Sequence, residues 1–260
     1  MPVTVAAPAG LTIGYPRLSP DELTLYFAGS MSGGDFDLYS AVRGSLHDGF
    51  GEPQPLTAVN STSNDQDPMV SSDGLTLWFS TTRDANQGAH IYVATRASTL
   101  AAFGGAAPAV TVNAADTTVS DSQPFATADN AEMWFASTRT PTQGSRDIWH
   151  ATRTAGGLAA PAADTALDST GFDGVPTLSA DRLTIFFNSN RMDTGVKGGF
   201  DIWIAHRMTA SGAFGAPGLV AEVNTAGNDI PGWISSDNCR LYLRNDSSST
   251  SQIFVATRQP

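Results

Sequence analysis

Pro176-Thr177-Leu178-Ser179-Ala180-Asp181 leads into Leu183-Thr184-Ile185-Phe186-Phe187-Asn188-Ser189, and after a glycine-rich loop the stretch closes on Phe200-Asp201-Ile202-Trp203-Ile204-Ala205-His206-Arg207. The same pattern is written five times. Pro16, Pro68, Pro124, Pro176 and Pro231 open the copies, at spacings of 52, 56, 52 and 55 residues. An acid follows five residues later as Asp21, Asp73, Asp129 and Asp181; in the fifth copy it is Asp237, six later, which reads as a one-residue insertion. Aromatic-rich strands come next: Leu25-Tyr26-Phe27, Leu77-Trp78-Phe79, Met133-Trp134-Phe135, Ile185-Phe186-Phe187 and Leu241-Tyr242-Leu243. The copies end on Arg43, Arg96, Arg153, Arg207 and Arg258. A unit of this length, made of short strands, cannot bury both faces by itself; copies arranged in a ring can, and the period is that of a β-propeller. The expected fold is all-β, a single five-bladed β-propeller of four-stranded antiparallel blades over residues 1–260. Its blades fall at about 15–60, 67–113, 123–168, 175–224 and 230–258, the last completed by residues 2–6.

Each blade reads as strands a to d. In the second copy, strand a runs from Pro68 to Ser71, and a Ser72-Asp73-Gly74 turn joins it to strand b at Leu75 to Ser80. Strand c covers Ile91 to Thr95 and strand d the stretch around Val110 to Val112. The β-branched and aromatic content of b and c suits burial on two sides. Copies one, two and four are followed by a Phe-Gly segment, and copy five has none after Arg258. Pro2-Val3-Thr4-Val5-Ala6-Ala7 resembles Ala109-Val110-Thr111-Val112-Asn113-Ala114-Ala115. Val3 to Val5 is therefore expected to form the outer strand of the last blade, closing the ring and covering a sheet edge that invites aggregation.

The motif Pro68-Met69-Val70-Ser71-Ser72-Asp73-Gly74-Leu75-Thr76-Leu77-Trp78-Phe79-Ser80, followed in later copies by Asp147-Ile148-Trp149 and Asp201-Ile202-Trp203, resembles the WD40-like propeller repeats of TolB-type and OmpA-associated bacterial proteins. The likeness covers nearly the whole chain. It departs at His90 and Gln252, where the Asp of the second half is replaced. It implies the propeller fold and a bacterial envelope or exported setting, periplasmic or secreted; it implies no single reaction, because this fold hosts binding modules, peptidase gates and hydrolases alike.

Bulk properties narrow the partners. With 25 acidic against 14 basic residues the formal net charge is −11, which repels phosphate backbones and argues against nucleic acid. No run of 18 apolar residues is present, so membrane insertion is not expected, and no signal peptide is visible at residues 1–10. The one cysteine, Cys239, aligns with Leu23, Leu75, Ala131 and Leu183 and reads as a buried small residue. The four histidines share no ligand spacing, which argues against zinc. No cofactor is expected, calcium in the channel being the one candidate, and a monomer is expected.

The loops joining d to a and b to c meet on one propeller face around the channel, the default ligand site. Two groups of residues point there. Asp65, Asp121 and Asp173 each precede a blade's proline by three residues, and Arg83, Arg139 and Arg191 each follow the last aromatic of strand b by four. Copy one lacks both, with Ile13 and Met31 in their places, and copy five has Asn228 and Ser247. Positions that come and go together read as Asp–Arg ion pairs locking each b–c loop. The alternative is a ring of carboxylates serving a glycoside hydrolase or lyase, or holding Ca²⁺. The second group lies where the repeat is broken, at the junction of blades one and five: Tyr15, Arg17, Asp229, Trp233, Arg244 and Asp246, an aromatic platform beside charges that suits a sugar or a peptide terminus. The leading functional expectation is a non-catalytic binding module presenting its loop face to a glycan, peptide or cell-envelope partner. The carboxylate-dependent enzyme and the calcium-stabilised scaffold are its alternatives.

Overall fold

Five small antiparallel sheets stand in a ring around one axis. The computed structural model describes residues 1–84, 87–246 and 251–258. The first blade comprises β1 (Leu11–Leu18), β2 (Thr24–Met31), β3 (Asp37–Val42) and β4 (Gln54–Pro55). The second comprises β5 (Asp65–Val70), β6 (Thr76–Thr81), β7 (His90–Thr95) and β8 (Ala107–Pro108). In the third, β9 (Asp121–Ala126), β10 (Glu132–Ser137) and β11 (Asp147–Thr154) are followed by β12 (Gly157–Leu158), which extends β11 as a hairpin, and by the outer β13 (Ala162–Ala163). The fourth has β14 (Asp173–Leu178), β15 (Thr184–Ser189), β16 (Asp201–His206) and β17 (Gly218–Leu219). The fifth has β18 (Asp229–Ile234), β19 (Arg240–Asn245) and β20 (Gln252–Thr257). The innermost strands touch in sequence, β1 to β5 to β9 to β14 to β18, and β18 returns to β1.

The fourth strand of the last blade comes from the other end of the chain. Val3 N donates to Ile253 O at 2.8 Å and Val255 N to Met1 O at 2.8 Å, with Pro2 facing Phe254. The pairing segment is thus Met1 to Val3, two residues before the expected Val3 to Val5; Val5 instead bridges Phe50 of the first blade. The outer strands differ in the same way. In the second blade strand d is Ala107–Pro108, and Val112, expected in it, lies in the turn that follows and is 1% exposed.

Copy five contains no insertion. Its inner strand pairs Asp229 with Asn245 and Trp233 with Tyr242, whereas blade two pairs Asp65 with Thr81 and Met69 with Trp78. Gly232 therefore occupies the place of Pro68, and Asp237 follows it at the usual interval. Every inner strand begins before its expected boundary, at Leu11, Asp65, Asp121, Asp173 and Asp229.

The repeated residues explain the ring. Phe27, Phe79, Phe135 and Phe187 of the b strands are fully buried, each contributing about 1.5–3 kcal/mol. The terminal arginines clamp neighbouring blades. Arg43, Arg96 and Arg207 lie over Phe50, Phe103 and Phe214 at 4.5, 4.4 and 4.7 Å. Each reaches the blade before its own, through Tyr242 Oη, Tyr26 Oη and Glu132 Oε2 respectively. Blade three has lost the Phe-Gly segment, and the side chain of its Arg153 bonds within its own blade, at Asn130. The a–b turns are tied by the repeated acid: Asp73 Oδ1 accepts from Ser71 Oγ at 2.5 Å and Leu75 N at 2.9 Å. Cys239 sits half-buried in the last of these turns.

Candidate functional site at the mouth of the central channel

All five inner strands bulge at the same place. Tyr15, Asp67, Gln123 and Val175 stand there with φ of 51, 54, 59 and 48°. Side chains rarely hold this left-handed conformation, and a β-branched valine least of all. The fifth member of the ring is Pro231, whose own ring forbids positive φ. These residues line the end of the channel where the d–a and b–c loops converge.

Two residues further along the inner strands the channel is closed. Arg17 of blade one donates to Thr177 Oγ1 of blade four at 2.6 Å and to Gly232 O of blade five, and its guanidinium lies 5.3 Å from the Phe125 ring of blade three. Contacts among blades one, three, four and five are possible only across the axis. Trp233 joins this plug, 6.5 Å from Phe125. The expected seam set is therefore divided. Arg17 and Trp233 fill the closed part, whereas Tyr15 and Arg244 meet nearer the loops, with the Arg244 guanidinium 5.9 Å from the Tyr15 ring. Asp246 belongs to the rim, accepting from Asn228 N at 2.6 Å and lying 3.4 Å from Arg244 Nη2.

Asp229 is placed elsewhere. By register it is the blade-five counterpart of Asp65, Asp121 and Asp173, fully buried, accepting from Thr225 N at 2.6 Å and Asn245 Nδ2 at 2.5 Å. Asn228 does not take the carboxylate's place, and Ser247 lies outside the described residues. The other three carboxylates are likewise completely buried. Arg83, Arg139 and Arg191 stand 2.8, 2.7 and 2.6 Å from Asp65, Asp121 and Asp173. The second oxygen of each accepts a backbone N–H, from Ser61, Ala114 and Ser169. Each of these carboxylates thus has both oxygens engaged by charge-assisted bonds. The guanidiniums also stack on the strand aromatics, as Arg139 does at 5.1 Å from both Phe135 and Trp149.

The mouth itself has different chemistry. Asp67 is 7% exposed and its Oδ1 is buried with no bonding partner. Burial raises its pKa, against the lowering by Ser80 and by the charges of Arg146 and Arg17. Burial also pushes the Tyr15 phenol up to about 12, with the charge of Asp67 adding and those of Arg244 and Arg146 opposing. Arg17 is brought down to about 10 by burial. Arg146, from the b–c loop of blade three, donates to Ser122 Oγ at 2.6 Å and Ser120 Oγ at 3.1 Å and lies 5.4 Å from the Phe172 ring. Phe172 meets Phe200 edge to face at 5.2 Å. Gly14 leaves room beside Phe36 and Arg244: a methyl there would lie 3.8 Å from Phe36 Cε1 and 4.0 Å from Arg244 Nη1.

The repeat pattern does not single out Asp67, Gln123 or Arg146. The signal for them is variation inside constancy. The residue before the opening proline changes from copy to copy, and Arg146 stands where other copies carry Phe36, Ala89, Phe200 and Ser251.

One further group could hold a cation: a carboxylate oxygen from each of Asp147, Asp168 and Asp173 lies within 4.8 Å of the others. The repeat offers a second account. Asn60, Asn113 and Asn224 each accept a strand-c N–H and donate Nδ2 to the carbonyl of the same residue. Asp168 accepts the matching N–H of Ile148 at 2.9 Å, but its Oδ2 is buried without a partner. Burial first, then the neighbouring acids, push Asp168 up to about 7. Its folded pKa thus exceeds the unfolded value near 4, so folding takes up a proton, and stability falls as pH rises from about 4 through 7. Asp168→Asn, in calcium-free buffer, is expected to remove that slope and to gain about 1 kcal/mol at pH 8. Urea melts across the pH range measure it.

No protein-family model matches the chain, and no curated protein matches it. Solved structures do. A TolB-type structure from Agrobacterium tumefaciens overlays with a TM-score of 0.57 at 16% identity, over 94% of this chain and 76% of that one. TolB from Acinetobacter baumannii gives 0.54 at 17%, over 94% of this chain and 54% of its own, so the chain spans about half that protein's length. A thermostable family-43 glycoside hydrolase gives 0.63 at 13%, over 99% and 97%. At such identities the likeness is one of fold, and it agrees with the five-bladed β-propeller seen here.

Proposed function

We propose that the protein is a non-catalytic binding module that receives a glycan, peptide or cell-envelope partner at the open mouth of its channel. The observation that carries this reading is the division of labour among the acids. Asp65, Asp121 and Asp173, the residues a hydrolase would need, are each held by an arginine and a backbone amide. Glycoside hydrolysis takes two carboxylates flanking the bond, and Asp67 stands instead among guanidiniums and a phenol. The likeness to TolB structures supports a protein or peptide partner and an extracytoplasmic setting. The likeness to glycoside hydrolases supports a carbohydrate. Among the described residues no helix is long and apolar enough to cross a membrane.

The test is a glycan and peptide array followed by mass spectrometry of every bound compound. Binding without cleavage is the expected result, and turnover of a bound glycoside would overturn it in favour of the enzyme. The calcium-scaffold reading falls on Asp147, Asp168 and Asp173. A calcium-dependent rise in Tm that is lost in Asp168→Asn would support it, and an unchanged Tm removes it.

A further inference from the structure

We propose that the channel mouth is selective for an acidic sugar, a hexuronate unit whose carboxylate lies between Arg146 and Arg244 while its hydroxyls meet Asp67 and Tyr15. This rests on the mouth being the binding site and goes on to name what it binds.

The charge pattern is the starting point. In a chain of net charge −11, Arg17 and Arg146 gather about the buried Asp67, and Arg146 and Arg244 about Tyr15. The bonds of Arg17 go to two carbonyls and a threonine hydroxyl. Those of Arg146 go to two serine hydroxyls. Arg244 donates to Ser251 Oγ at 3.0 Å and has Asp246 at 3.4 Å, longer than a charge-assisted bond, and its Nε is buried without a partner. The arginines of the loop-locking pairs stand 2.6–2.8 Å from their carboxylates. The arginines at the mouth are thus held less closely by carboxylates than those of the loop-locking pairs. A guanidinium kept largely out of water with only a distant counter-ion is costly, and an incoming carboxylate reduces that cost with the bidentate geometry arginine favours.

The remaining groups select the framework of the ligand. The free Oδ1 of Asp67 needs a hydrogen-bond donor, and a sugar hydroxyl supplies one without bringing charge. A zwitterionic amino acid would supply a donor too, but its net charge of zero leaves the excess of guanidiniums uncompensated. Phe36 lies beside Gly14 and Arg244, and the Phe172 ring lies under Arg146, so apolar surface borders the charged groups.

The experiment is calorimetric titration with oligogalacturonate and oligoglucuronate, their methyl esters, the matching neutral oligosaccharides, and a peptide with a free C-terminal carboxylate. Wild type is compared with Arg146→Gln, Arg244→Gln and Gly14→Val, each first shown to melt cooperatively. Gly14→Val removes no charge and only fills the space beside Phe36 and Arg244. Uronates are expected to bind with an affinity that falls with salt, and esterification or either arginine change is expected to cost tenfold or more. Gly14→Val is expected to abolish binding. If neutral sugars or the peptide bind as well as uronates and Gly14→Val blocks them, the acidic-sugar inference fails while the binding site stands. If a ligand binds and Gly14→Val leaves it untouched, the site itself is wrong and both readings fall.

Discussion

Removal of residues 1–6 is expected to destabilise the propeller by about 3–5 kcal/mol, after the cost of ordering those residues is set against the bonds and burial they provide. The deletion takes away the ladder from Met1 and Val3 to β20, together with the bonds of Ala6 N to Phe50 O and Phe50 N to Thr4 O. It also strips Val3 and Val5 from the cluster that contains Phe50, Tyr242 and Ile253. For a chain of this size the loss corresponds to a fall in Tm of about 10 °C, and β20 becomes an open edge prone to pairing with other chains. Differential scanning calorimetry with light scattering measures both. A variant that melts with wild type and stays monodisperse would mean that the first strand contributes nothing to closure.

Asp121→Asn is the second large effect, about 3–5 kcal/mol. Asp121 accepts from Arg139 at 2.7 Å, Ser137 Oγ at 2.6 Å and Ala114 N at 2.7 Å, and no part of it reaches solvent. An asparagine cannot satisfy all three donors, since its amide nitrogen must face one of them, and Arg139 is left between Phe135 and Trp149 without its counter-charge. Asp35→Asn, on an exposed loop, is the control and should change stability by no more than about 0.5 kcal/mol. The result separates two roles: a structural acid costs Tm and leaves the affinity of the folded fraction intact, whereas a ligand-binding acid does the reverse. Loss of binding at an unchanged Tm would contradict the structural role of the Asp–Arg pairs.

Much of the fold could be read from the chain because a propeller repeats its physics. The aromatic b strand, the Ser-x-Asp turn and the closing arginine each recur because each blade faces the same neighbours. Details slipped where the signal is short or substituted. Outer strands of two residues, such as Ala107–Pro108, carry almost no pattern. In copy five Pro231 stands at the bulge and Gly232 where other copies have proline, so the proline is out of step with Asp229 by one residue and mimics an insertion. The mouth was harder for a different reason. Tyr15, Asp67, Arg146 and Arg244 come from four blades and meet only because the ring closes. Arg17 and Trp233 sit in the same blades as Tyr15 and Arg244, yet two residues along an inner strand separate the loop end from the plug.

Closure is also what brings Tyr15 of the first blade beside Arg244 of the last, so binding at the mouth depends on it directly. Pro2 and Phe254 face each other between two hydrogen-bonded neighbours, an arrangement that sets Cα atoms about 4.5 Å apart and suits a disulfide. In a Cys239→Ala background, Pro2→Cys with Phe254→Cys should oxidise to an intramolecular disulfide and melt at a higher temperature than the same chain reduced. Free thiols under oxidising conditions, or cross-linked dimers in place of the internal bond, would show that the first residues do not complete the last blade.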